Sequence, residues 1–118
     1  MSIPNEALQK LVQEIEIQAA AAQQQIGLAR SQMTAKQREQ RLVRLTLGEM
    51  ETLPADAVVY EGVGKMFAQL PVSELRQKLD RQTQDLVAEV ERLNKRLLYL
   101  ETTHKNSRDH IEQMLQGR

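Results

Sequence analysis

Val58-Val59-Tyr60-Glu61-Gly62-Val63-Gly64-Lys65-Met66-Phe67-Ala68-Gln69-Leu70 is the stretch on which the reading of this chain turns. Two runs of β-branched, aromatic and apolar residues around a glycine-bearing segment predict a β-hairpin. The first strand is expected at Val58-Val59-Tyr60, the turn over Glu61-Gly62-Val63-Gly64, and the second strand over residues 65–70. An isolated two-stranded hairpin is marginally stable in water. Its apolar residues Val58, Tyr60, Val63, Met66, Phe67 and Leu70 need a cover, and open strand edges invite pairing with another chain. The hairpin is therefore the expected site of subunit assembly.

Moving outward, Leu45-Thr46-Leu47-Gly48-Glu49-Met50 contains Thr46-x-x-Glu49, a capping-box pattern that predicts a short helical turn. Gly48, Pro54, Gly62, Gly64 and Pro71 all fall in this middle part. On either side the chain is rich in Gln, Ala, Glu, Lys and Arg, residues that favour helices. A first helix is expected over 5–44, with Asn5 as N-cap. Steps of four and three pick out Leu8, Val12, Ile15, Ala19, Ala22, Ile26, Ala29 and Met33, with Lys36, Gln40 and Val43 continuing the positions. Gly27 lies inside this helix and weakens it by about 1 kcal/mol relative to Ala. A second helix is expected over 73–117, with Ser73 as N-cap. Its stripe is Leu79, Thr83, Leu86, Val90, Leu93, Leu97, Leu100, His104, Ser107, Ile111 and Met114. Such heptad spacing is the signature of a coiled coil.

Each helix carries one narrow stripe, and the nearest partner for each is the other. The fold class is mainly α: an antiparallel two-helix coiled-coil hairpin with a small β-hairpin insert at the bend, residues 45–72, in a single domain over 1–118. Facing residues in such a pair have numbers with a constant sum. A sum of 119 sets Ile26 against Leu93, Ala29 against Val90 and Met33 against Leu86, opposing small residues to large ones. It leaves both termini flush at one end of a rod on the order of 50–60 Å long.

Composition narrows the function classes. Sixteen Lys+Arg balance sixteen Asp+Glu, so the basic footprint of a dedicated nucleic-acid binder is missing. With no Cys, disulfides, thiolate metal sites and cysteine nucleophiles are out, and a reducing, cytoplasmic setting suits the chain. No apolar run reaches the roughly 18–20 residues that span a bilayer. Gly64-Lys65 is no P-loop, because Val59 and Met66 stand where that motif needs Gly and Ser or Thr. Glu101-x-x-His104 has the spacing of one half of a bundle di-iron site, which needs two such motifs and further carboxylates. Arg92, Lys95 and Arg96 follow Glu89 and Glu91, a mixture of signs unlike the continuous basic helix of a DNA-binding zipper. No catalytic residue, metal ligand or cofactor is expected, and the chain does not read as an enzyme.

Long helix, turn, β-hairpin and long helix is a plan that resembles the β-class subunits of the prefoldin family. Tyr60-Glu61-Gly62-Val63-Gly64-Lys65-Met66-Phe67 is similar to the hairpin signature of one eukaryotic subunit of that class, as is the preceding Leu45-Thr46-x-x-Glu49 turn. The resemblance implies a heterohexamer of two α-class and four β-class subunits whose hairpins join into β-barrels. It also implies ATP-independent capture of non-native proteins, such as actin and tubulin chains, for delivery to the cytosolic group II chaperonin. Neither nucleic acid nor a membrane is among the implied partners.

Client binding is then expected at the end where the termini meet. Leu8, Val12, Ile111 and Met114 lie on the stripe there, Leu11 and Leu115 flank it, and Ile3 precedes the helix. Surplus apolar groups at frayed ends, with an adaptable Met, suit promiscuous binding. His104 and Ser107 predict loose packing one to two layers further in. Ile17, Leu28, Leu42 and Leu98 fall outside both stripes and are expected at the surface. The competing reading is a coiled-coil adaptor or tether that docks one structured partner, against which the oligomer-forming hairpin argues.

Overall fold

The computed structural model describes residues 4–116. Four elements follow one another: α1 (Asn5–Met50), β1 (Val58–Val63), β2 (Met66–Pro71) and α2 (Val72–Gln116). Two compact units make up the chain. One takes the chain up to Met33 and from Arg92 onward; the other is Thr34–Glu91.

Helix α1 is capped one residue earlier than expected. The amide of Leu8 donates to the carbonyl of Pro4 at 2.9 Å, so Pro4 opens the helix and Asn5 is already in its first turn. The helix runs unbroken through Gly27 and on to Met50. The separate helical turn expected at residues 45–50 is thus the end of α1. Its supposed cap, Thr46, instead turns its hydroxyl back to the carbonyl of Leu42 at 2.9 Å, the usual behaviour of a threonine inside a helix. Helix α2 starts at Val72, which places Ser73 within the first turn rather than at the cap.

The heptad stripe lands where the spacing put it. In the unit built from the chain's two outer parts, Leu8, Ile26, Ala29, Leu93, Leu97 and Leu100 are buried. Val12, Ile15, Ala19, Ala22, Met33, His104, Ser107, Ile111 and Met114 are half-buried. Ile26, Ala29, Leu97 and Leu100 form one cluster, with Met33 packed against it. In the Thr34–Glu91 unit, Val43, Met50, Val72 and Leu86 are buried. The polar stripe residue Thr83 satisfies its hydroxyl on the carbonyl of Leu79 at 2.9 Å.

The register between the helices differs from the expected one. Ile26 and Ala29 pack with Leu97 and Leu100, pairs whose numbers add to at least 123, not 119. Two ion pairs across the helices distinguish the observed register from the expected one. A stripe that repeats every seven residues tolerates a shift of one heptad with little loss of apolar matching. Charges do not repeat in this way. Arg30 pairs with Glu101; one heptad earlier it would meet Asn94. Lys36 pairs with Glu89 at 3.2 Å; one heptad earlier it would meet Gln82. Both pairs exist only in the observed register.

The hairpin is longer and its turn tighter than expected. Val58 pairs with Pro71, Val59 with Leu70, Tyr60 with Gln69, Glu61 with Ala68, Gly62 with Phe67 and Val63 with Met66. Glu61, Gly62 and Val63 therefore belong to β1, and the turn is only Gly64-Lys65. Gly64 has φ +62°, and no other described residue has positive φ. Positive φ at the first loop position alone is the II′ pattern, which matches strand twist and favours Gly there. One further bond, from the amide of Val72 to the carbonyl of Ala57 at 3.2 Å, closes the hairpin at its base.

Candidate functional site

Residues that face each other in an antiparallel pair share a face, and successive residues alternate. The register therefore divides the hairpin's apolar residues between two faces. Val58, Tyr60 and Phe67, with Gly62, Gln69 and Pro71, occupy one. Val59, Val63, Met66 and Leu70, with Glu61 and Ala68, occupy the other. On the first face Tyr60 is 65% exposed and Phe67 76%. The Phe67 ring reaches across to Gly62, its Cε1 3.9 Å from where a Cβ on that glycine would lie, so an aromatic ring shields a strand glycine.

The second face is partly used within the chain. Val59, Glu61 and Leu70 are half-buried, and the Glu61 carboxylate accepts from Lys78 Nζ, anchoring the hairpin to α2. Glu61, Leu70, Lys78 and Arg81 line an open groove of about 570 Å³ beneath it. Nearer the turn, Val63 and Met66 on this same face are exposed, Met66 to 75%. Of the six residues expected at the assembly site, Val58, Tyr60, Val63, Met66 and Phe67 are thus exposed, and Leu70 packs under the hairpin. Sequence reasoning missed the roles of Val59 and Glu61. The signal was present, because a two-residue Gly64-Lys65 turn would have set both in phase with Leu70.

A two-stranded sheet has two open edges, and here both faces carry exposed apolar side chains. Water is a poor cover for Tyr60, Phe67, Val63 and Met66 together. Chemically, the arrangement can add strands at its edges and bury rings and aliphatic chains on its faces. It brings together no nucleophile, base and oxyanion donor.

The second candidate lies toward the chain ends. Leu8 is buried at 4% exposure, and Val12, Ile111 and Met114 are half-buried. Leu11 and Leu115 are exposed. Ile3 lies outside the described residues. Thr103, Asn106, Ser107 and His110 with Ile15 line an open groove of about 390 Å³, at the level where His104 and Ser107 predict loose packing. Ile17, Leu28, Leu42 and Leu98 are all exposed, as their positions outside the stripes require. No described helix is long and apolar enough to cross a membrane.

Comparison with known proteins accords with this geometry. A family model described as prefoldin subunit matches residues 13–118. The probable prefoldin subunit 1 of Schizosaccharomyces pombe is 32% identical over 107 residues, covering 91% of this chain and 96% of that one. Prefoldin subunit 1 of Tetraodon nigroviridis is 32% identical over 114 residues, covering 97% and 93%. Among solved structures, the prefoldin beta subunit from Thermococcus strain KS-1 superposes with a TM-score of 0.80 at 27% identity, covering 95% of this chain and 94% of that one.

Proposed function

The chain belongs to the prefoldin family of chaperone subunits, and on that premise we propose that it acts without ATP inside a cytosolic heterohexamer of α- and β-class subunits. On this reading its hairpin contributes strands and side chains to a barrel shared with neighbouring subunits. Its chain-end region, with Ile3, Leu8, Leu11, Val12, Ile111, Met114 and Leu115, takes up non-native proteins such as actin and tubulin chains. The assembly then passes them to the cytosolic group II chaperonin.

One observation carries the reading: exposed apolar residues stand on both faces of a sheet with two open edges. That is an unfinished core, and strands from other chains would finish it. The chain-end part rests on weaker individual contacts. Burial is worth roughly 25 cal/mol per Å², so one end binds feebly, and several ends tethered to one platform gain by effective concentration.

Native mass spectrometry of the chain mixed with α- and β-class partner subunits tests the assembly step. The unaltered chain is expected in a hexamer, and Met66→Ser with Phe67→Ser is expected to be left out of it. Full incorporation of that double variant would remove the hairpin from the interface. Within the assembled complex, Leu11→Ser with Leu115→Ser should lower capture of denatured actin severalfold; undiminished capture would clear the chain ends of that role.

A further inference from the structure

The two edges that flank the stripe differ in the unit holding Ile26 and Leu97. On one edge Arg30 is answered by Glu101 across the helices. On the other, Gln18, Gln25 and Gln32 recur at seven-residue spacing on α1, at flanking positions that paired helices usually fill with Glu or Lys. Opposite them α2 brings Arg92 and Arg96. Gln25, Leu28, Ala29, Gln32, Arg92 and Arg96 line an open groove of about 260 Å³.

No carboxylate lines this groove. Among the described residues neither Arg92 nor Arg96 takes part in an ion pair, a state they share with most of the described Lys and Arg residues; what sets them apart is that their like charges share a groove without a carboxylate. The two guanidiniums stand four residues apart, a like-charged spacing that disfavours the helix. At four residues, Ala88 and Leu100 offer no acid, and Glu89, three residues before Arg92, pairs with Lys36 at 3.2 Å instead. Leu28 is exposed in the groove wall, and exposed Tyr99 lies three residues beyond Arg96 on the same side of α2. Two unanswered cations, neutral amides opposite and an apolar residue at each side make a surface complementary to a carboxylate-bearing polypeptide.

We propose that this groove binds acidic, partly apolar segments of non-native proteins. The inference rests on the client-capture reading and deepens it by naming the class of segment preferred. Arg92 and Arg96 would take Asp or Glu side chains, since the planar guanidinium accommodates a carboxylate bidentately. Gln25 and Gln32 would bond the segment's peptide groups, and Leu28 with Tyr99 would take an adjoining aliphatic side chain.

Fluorescence anisotropy on the assembled complex tests this with two labelled peptides of Leu and Ser, one interspersed with Glu and its twin with Gln. Arg92→Gln with Arg96→Gln should weaken the Glu peptide about fivefold to tenfold and leave the Gln twin unchanged. The difference should shrink as salt is raised. In a second variant, Gln25→Glu with Gln32→Glu, internal carboxylates should raise the melting temperature while weakening the Glu peptide. Unchanged binding of the Glu peptide to the arginine variant, or equal loss for both peptides, would overturn the proposal. The chain-end variants report separately, because loss of denatured-actin capture there leaves this peptide contrast intact.

Discussion

The helical stripe and the β-hairpin handle apolar residues in opposite ways. Leu86, Leu93 and Ile26 are covered by their own chain at 3–6% exposure, while Met66 and Phe67 stand three-quarters open. Both regions are apolar at regular spacing, so hydrophobicity does not separate them. Geometry does. Two helices present one stripe each and close on one another. A two-stranded sheet has two faces and two edges, and of its residues only Val59, Glu61 and Leu70, all on one face, are half-buried, with Glu61 bonded to Lys78 of α2. One region should therefore fail by unfolding, the other by failing to assemble.

Leu93→Ala is the sharpest way to break the first half of that contrast. Removing a side chain that is 3% exposed should cost about 2–3 kcal/mol, read as a lowered denaturation midpoint of the complex. Its hairpin is untouched, so subunit stoichiometry by native mass spectrometry should hold. The reverse pattern, stability kept and assembly lost, would invert the comparison.

Gly64→Val comes next. Holding a residue with a Cβ at φ +62° costs about 1–2 kcal/mol, and this cost is local to the turn. Faster hydrogen exchange at the Val63 and Met66 amides, with the Ile26–Leu97 layer unchanged, is the expected result. Equal acceleration in both places would show the hairpin and helices to be one cooperative unit.

The smallest effect belongs to the charges. Lys36→Gln removes an ion pair whose side chains are 35% and 43% exposed, so the stability change should stay below about 1 kcal/mol. Register is the more telling readout. In an otherwise unaltered chain, Ala29→Cys should cross-link to Leu97→Cys in preference to Val90→Cys. Removing both Lys36 and Arg30 charges should raise the Val90 product. If it does not, the ion pairs do not select the register.

The stripe was legible residue by residue, from Leu8 to Met114, because a helix turns every 3.6 residues whatever its neighbours are. The hairpin was legible as an element but not in detail. Its turn was expected across Glu61-Gly62-Val63-Gly64, since two glycines looked like turn residues, yet Gly62 lies in β1 opposite Phe67. A glycine in a strand and a glycine in a turn look alike until the facing residue is known. Thr46-x-x-Glu49 misled for a similar reason: a capping box matters only where a helix begins, and α1 was already running there. Arg92 and Arg96 read as ordinary surface charges because the uncharged groove opposite them involves residues some 60–70 positions away in the chain.

Local chemistry along the chain thus settled which residues turn inward, where the breakers gather and that a sheet fragment must sit between two helices. Which heptad faces which, which hairpin residues share a face and which cations go unanswered emerged only when distant segments came together. Periodic apolar spacing repeats itself and is blind to a seven-residue slip, whereas a charge or a glycine acquires its meaning from the one residue placed across from it.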